Sequence, residues 1–197
     1  MAKQKGLSFY RKKKKISPAV IKEIFSWLSG IGIVVFLAFV IVFAVGMKTS
    51  VIGVSMEPGL YNGQEILVDK FIYLLSNPKR GDVVVFLPNG NENSHYYVKR
   101  VIAVPGETVQ ITDGKLYVDG VLSEYAENYD KIADAGIAEN EITLKKDEFF
   151  VLGDNCNDSE DSRSGNIGAV SRDTIIGKAW FHMACANEGF GFLKKWN

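Results

Sequence analysis

Twenty-four consecutive residues, Ile24 to Met47 (IFSWLSGIGIVVFLAFVIVFAVGM), contain no Asp, Glu, Lys or Arg. As a helix this run spans ~36 Å at ~1.5 Å per residue, enough to cross a hydrocarbon core of ~30 Å. It has no polar face, which sets it apart from a core helix of a soluble domain. Trp27 suits one interface and Lys48 closes the other end. The formal net charge of zero hides a division: residues 1–23 hold eight Lys/Arg against Glu23 alone, and the remainder is acidic by the same margin of seven. A basic tail fits either a nucleic-acid arm or a membrane-topology signal. Followed directly by an apolar run, it indicates the second. The positive-inside rule then places residues 1–23 in the cytoplasm and 48–197 on the far side of the cell membrane. The small residues Ala44-Val45-Gly46 offer a cleavable-signal reading, but a signal's apolar region is usually ~7–15 residues and this one is longer. The expectation is a basic cytoplasmic tail (1–23), one uncleaved transmembrane helix (24–47) and one extracytoplasmic domain (48–197).

That domain reads as mainly β. EILVDKF at 65–71 alternates, DVVVFL at 82–87 is short, apolar and β-branched, and YYVKRVIAV at 96–104 is a longer strand pattern. Asp113-Gly114 between VQIT and KLYV is a hairpin signal, because both turn positions require positive φ. Asn89-Gly90 marks another turn, and 148–154 and 174–183 supply further strands. Ser123 to Glu141 lacks period two and reads as a surface insertion with a short helix, not a second domain. Two cysteines, Cys156 and Cys185, permit one bridge but make no disulfide framework.

A serine follows the anchor closely: Ser55, in GVSMEPGL at 53–60, is seven residues beyond Lys48. A serine nucleophile needs a base within hydrogen-bond reach. Two histidines, His95 and His182, are available without a local signature, and no G-x-S-x-G elbow surrounds Ser55. A neutral lysine is the alternative. At the ordinary pKa of ~10.4 only ~0.04% of a lysine is neutral at pH 7, and burial that lowers it to ~8 raises this to ~10%. Such a lysine must sit on an apolar strand, and Lys99 in YYVKRVIAV has that setting. SNPK at 76–79 formally matches the S-x-x-K motif, which works on a helix. Pro78 makes that stretch a turn. The acids around Asp154–Asp161 fail the calcium-loop pattern, and His182-Met-Ala-Cys185 lacks a second pair of zinc ligands. Neither a metal nor a cofactor is expected.

SMEP at 55–58, KRVIAVPGE at 99–107 and GDNCNDSEDSRSG at 153–165, in that order behind an N-terminal anchor, resemble the type I signal peptidases, with GDVVVF at 81–86 as a weaker fourth block. The single span and compact exported domain are similar to the Gram-positive form. The resemblance implies a membrane serine endopeptidase with a Ser–Lys dyad, Ser55 as nucleophile and Lys99 as general base. It implies that Ser159 orients the lysine amine, that Asp161 and Arg163 form a supporting ion pair, and that Asp154 and Arg100 form a second. The oxyanion would meet the backbone N–H of Ser55, since Gly53 stands where some members add a hydroxyl. Val51, Ile52, Met56, Leu60, Tyr97 and Val98 would surround shallow pockets for small residues. The implied partners are secretory preproteins, cut after small residues in an Ala-x-Ala pattern, and the lipid bilayer, with no nucleic acid. Cys156 stands where the family usually has Arg, and Gly59 where Thr is common. Two other readings remain open: a specialised processor of a narrow precursor set, and a non-enzymatic tethered β-domain in which Ser55 and Lys99 are ordinary surface residues.

Overall fold

A computed structural model describes residues 17–91, 93–123, 125 and 131–193. The lysine-rich cluster at 11–15 lies outside them. The chain divides into two units, Met1–Ala44 and Val45–Asn197.

The first unit contains α1 (Pro18–Val45), which is 28 residues long. It starts six residues earlier than the uncharged run. Ser17 Oγ accepts the backbone N–H of Ala19, and Pro18 occupies the first helical position, where no N–H is needed. Absence of charge marks what lipid tolerates, whereas the cap marks where the helix begins, so Lys22 and Glu23 fall inside α1. Phe25, Trp27, Phe36 and Phe39 are all well exposed. This helix is long and apolar enough to cross a membrane.

The second unit is mainly β. Gly46 and Met47, the end of the apolar run, belong not to the helix but to β1 (Gly46–Ser50), which pairs antiparallel with β2 (Glu65–Asp69). A four-residue helix, α2 (Ile72–Leu75), shortens the strand expected through residue 71. Asp69 Oδ1 accepts the N–H groups of Phe71 and Ile72 and turns the chain there. Next come β3 (Val83–Phe86) and β4 (Tyr97–Ala103). The Asp-Gly hairpin follows as expected, joining β5 (Thr108–Thr112) and β6 (Lys115–Val118) with Asp113 at φ 53° and Gly114 at φ 73°. The remaining strands are β7 (Val121–Leu122), β8 (Ile142–Thr143), β9 (Glu148–Leu152), β10 (Val170–Ser171), β11 (Ile175–His182) and β12 (Gly191–Phe192).

They form two sheets. The larger runs β1-β2-β11-β3-β4-β9-β10, with β12 on β11, and the smaller runs β7-β6-β5-β8. β3 is buried along its whole length because both of its faces are covered. Val83 and Val85 pack with Val51, Met56, Leu60 and Val98, while Val84 and Phe86 pack with Tyr73, Val101 and Val151. This is the reason DVVVFL reads as a continuous apolar run rather than an alternating one. A third cluster joins the small sheet to the large one through Ile102, Ala103, Phe150 and Leu152.

The described residues of the 123–141 stretch lie mostly at the surface, as expected, but the stretch is pinned to the core at a few points. Tyr125, Ile132 and Ala138 are buried in that third cluster, and the Tyr125 hydroxyl donates to Gly153 O at 2.5 Å. The short helix expected in this stretch falls around Tyr125, where residues 124 and 126–130 lie outside the described residues; a 3-10 turn follows at Gly136–Glu139. Cys156 is buried, Cys185 is half-buried, and neither forms a disulfide.

Candidate active site

Ser55 lies on the loop joining β1 to β2. Its base is closed by Val51 N–H donating to Gln64 O (2.9 Å) and Gly63 N–H donating to Val51 O (2.8 Å). Met56 and Leu60 are fully buried, and Leu60 N–H donates to Met56 O at 2.8 Å. Fully burying side chains of this size stabilises by roughly 1.5–3 kcal/mol each, so the turn carrying Ser55 is pinned from beneath. Gln64 fastens the far end, accepting from Tyr61 N–H and donating through Nε2 to Met183 O and His182 Nδ1. His182 is thereby engaged in holding the loop and does not line the cleft at Ser55.

Lys99 arrives on β4. The β4–β9 ladder ends at Arg100↔Leu152, one residue short of Lys99, and the chain leaving β9 peels away beside it. Asn155 N–H then donates to Ser55 O at 3.0 Å, which ties this departing segment to the serine loop. Lys99 is only 4% exposed, and its Nζ stands 2.6 Å from Ser55 Oγ. Burial lowers the Lys99 pKa to about 8, against the pull of Asp161 and Glu160, which favour the charged form. An ordinary surface pair would show neither the burial nor this contact, so the tethered-domain expectation for these two residues does not hold.

Two ion pairs brace the site. Arg100 donates from Nε to Asp154 Oδ1 (2.7 Å) and from Nη2 to Asp154 Oδ2 (2.6 Å), with Nη1 on Gly81 O. Arg163 binds Asp161 in the same two-pronged way at 2.8 and 2.9 Å, and also gathers the carbonyl oxygens of Asp134, Cys156 and Ser159. Asp161 in turn accepts Gly153 N–H at 3.2 Å. Gly153 has no room for a side chain, because a Cβ would overlap Ser159 Oγ and the Ser55 carbonyl oxygen. Gly59 is similarly confined, its missing Cβ leaving the place that Asp154 Oδ2 fills.

Ser159 departs from what the resemblance implies. Its Oγ is buried and makes no hydrogen bond, and Lys99 Nζ is bonded to Ser55 instead. The cleft beside Ser55, about 300 Å³, is lined by Val51, Ile52, Gly53, Val54, Tyr97, Val98 and Lys99, and also by His95, Tyr96, Asp158 and Glu160. Of the expected pocket residues, Val51, Ile52, Tyr97 and Val98 line it. Met56 and Leu60 do not; they lie in the core under the loop, a distinction that apolar character in sequence does not make. His95 reaches the cleft without bonding Ser55.

A family model for signal peptidase, peptidase S26, matches residues 24–184. Signal peptidase I P of Bacillus subtilis subsp. natto is 33% identical over 178 residues, covering 86% of this chain and 91% of the relative. Signal peptidase I T of Bacillus subtilis (strain 168) is 36% identical over 82% of this chain and 86% of its own length. Signal peptidase IB of Staphylococcus aureus is 34% identical over 81% and 89%. A crystal structure of a signal peptidase I from Enterococcus faecalis matches 52% of this chain and 97% of that one, with 30% identity and a TM-score of 0.40. The chain therefore belongs to the signal peptidase family, peptidase S26, within which these relatives are signal peptidases I.

Proposed function

We propose that this chain removes signal peptides from exported preproteins by serine–lysine acyl transfer, cutting after small residues of the Ala-x-Ala type. The observation that carries the reading is the 2.6 Å contact between Ser55 Oγ and the Nζ of a lysine removed from water. With the Lys99 pKa near 8, ~10% of the amine is neutral at pH 7, a few hundred times more than for an exposed lysine.

Neutral Lys99 Nζ accepts the Ser55 hydroxyl proton as Oγ attacks the scissile carbonyl. The Ser55 backbone N–H, which makes no hydrogen bond within the described residues, is available to the resulting oxyanion. The Lys99 ammonium then protonates the departing amine, the C–N bond breaks, and an ester to Ser55 remains. A water gives its proton to Lys99 and attacks the ester, and Lys99 returns a proton to Oγ. A cleft of about 300 Å³ walled by Val51, Ile52 and Val98 favours small side chains before the cut. The aspartate–arginine pairs hold the segment 153–163 against the dyad.

The chain is anchored by α1 with its N-terminus in the cytoplasm, since the lysine-rich cluster at 11–15 precedes the span. The β domain then stands outside the membrane, where preproteins emerge. Full-length protein in detergent is expected to cut an Ala-x-Ala preprotein after the second alanine, and Ser55→Ala is expected to abolish the product. Sequencing the mature N-terminus and comparing rates checks both. Persistent cutting by Ser55→Ala, or no cutting of several such preproteins by wild type, defeats the reading.

A further inference from the structure

Glu160 has no part in the chemistry so far, yet two contacts join it to the base. Its Oε2 accepts the Tyr97 hydroxyl at 3.0 Å, and the Tyr97 ring centroid is 5.7 Å from Lys99 Nζ. Tyr97 and Lys99 are two residues apart on β4, whereas Glu160 comes from the segment leaving β9, so the hydrogen bond links the two sides of the cleft. Burial and then the Glu160 carboxylate push the Tyr97 hydroxyl up, which keeps it a donor throughout the working range.

The other charges around the amine are balanced differently. Asp161 and Asp154 also favour the charged lysine, but each is held by an arginine in a two-pronged pair that cancels much of its field, and Arg163 itself opposes the charge. His95 and Asp158 also line the cleft. Glu160 makes no ion pair among the described residues, so its negative charge reaches Lys99 uncancelled by a partner.

We propose that Glu160 is a positioning residue for the reaction: it holds the Tyr97 ring against the Lys99 amine and sets the pH range over which that amine works. The proposal rests on the reading of Lys99 as general base. A carboxylate here stabilises the ammonium that forms as Ser55 loses its proton, and it also keeps the resting amine protonated to a higher pH. Two opposed effects follow when the charge is removed. The acid limb of kcat/KM moves to lower pH, and the plateau above it falls because the ammonium formed during attack is less well stabilised.

The test uses full-length protein in detergent, an Ala-x-Ala preprotein and the variants Glu160→Gln, Tyr97→Phe and Lys99→Ala. Glutamine keeps an acceptor for the Tyr97 hydroxyl and removes only the charge. Its acid limb is expected to drop by roughly 0.4 pH unit at low ionic strength, the size of one water-screened charge a few ångströms beyond contact. In 1 M salt, where the screening length is ~3 Å, the shift should shrink only in part, because Lys99 is enclosed. Tyr97→Phe should lower kcat/KM several-fold and leave the limb where it was. An unmoved limb in Glu160→Gln overturns the electrostatic role; unchanged kcat/KM in Tyr97→Phe overturns the holding role. Lys99→Ala separates the two levels. If it is inactive while the Glu160 and Tyr97 variants behave as wild type, only this proposal fails; if it cleaves normally, the base assignment fails with it.

Discussion

Replacing Lys99 by methionine should abolish cleavage and at the same time make the folded protein more stable at neutral pH. The loss of a general base costs ~10²–10⁴-fold, and in the proposed mechanism Lys99 also activates the nucleophile, so the upper end is expected. The stability gain follows from burial. Lys99 is almost fully enclosed, and its pKa falls from 10.5 to about 8 on folding. Below pH 8 the amine is charged in both states, and folding carries the whole burial cost. Between pH 8 and 10.5 the unfolded chain keeps the proton while the folded chain sheds it, so the cost declines as pH rises. Above 10.5 both states are neutral and the cost is gone. Methionine, similar in volume and uncharged, should therefore stabilise by ~3 kcal/mol at pH 7 and by little above pH 10.5. Equilibrium unfolding in detergent across that range, beside the cleavage assay, checks both halves.

The second large effect concerns the Arg100–Asp154 pair. Both residues are 3% exposed, and together they bridge β4, Gly81 and the start of the segment that carries Ser159 and Asp161. Asp154→Ala leaves a guanidinium charge inside the protein. Its expected cost is ~3–5 kcal/mol, a fall in Tm on the order of 10 °C for a domain of this size. Changing both residues to apolar ones removes the orphaned charge along with the pair. The double variant is expected to lose clearly less than the sum of the singles, because a buried ion pair roughly balances its own desolvation. Thermal unfolding of the two single variants and the double reads this directly; additive losses would show that the two side chains do not act as a unit.

Much of this was legible in the residues, and the limits have physical causes. The long apolar helix was visible because its run carries no charge, although its ends were set by a Ser-Pro cap and by strand pairing of Gly46 that no hydropathy reading contains. The Asp113-Gly114 hairpin was visible because the turn demands positive φ at both positions. Two-residue strands such as Val121–Leu122 and Val170–Ser171 were invisible, being too short for a period. Tyr125 read as part of a surface insertion, and only its tertiary contacts place it in the core. Lys99 could be singled out because a lysine proposed as a base has to be buried, and it is. What accompanies it, Glu160 through Tyr97, arises from two segments about 60 residues apart, and local pattern carries no information on such a pairing.

The most direct measurement is the pH dependence of kcat/KM for wild type on an Ala-x-Ala preprotein, with the free enzyme's base reported by the acid limb. A limb near pH 8 is expected, the value burial gives Lys99. A limb near the ~6.5 of an ordinary histidine would contradict a lysine base and turn attention to His95 in the cleft lining.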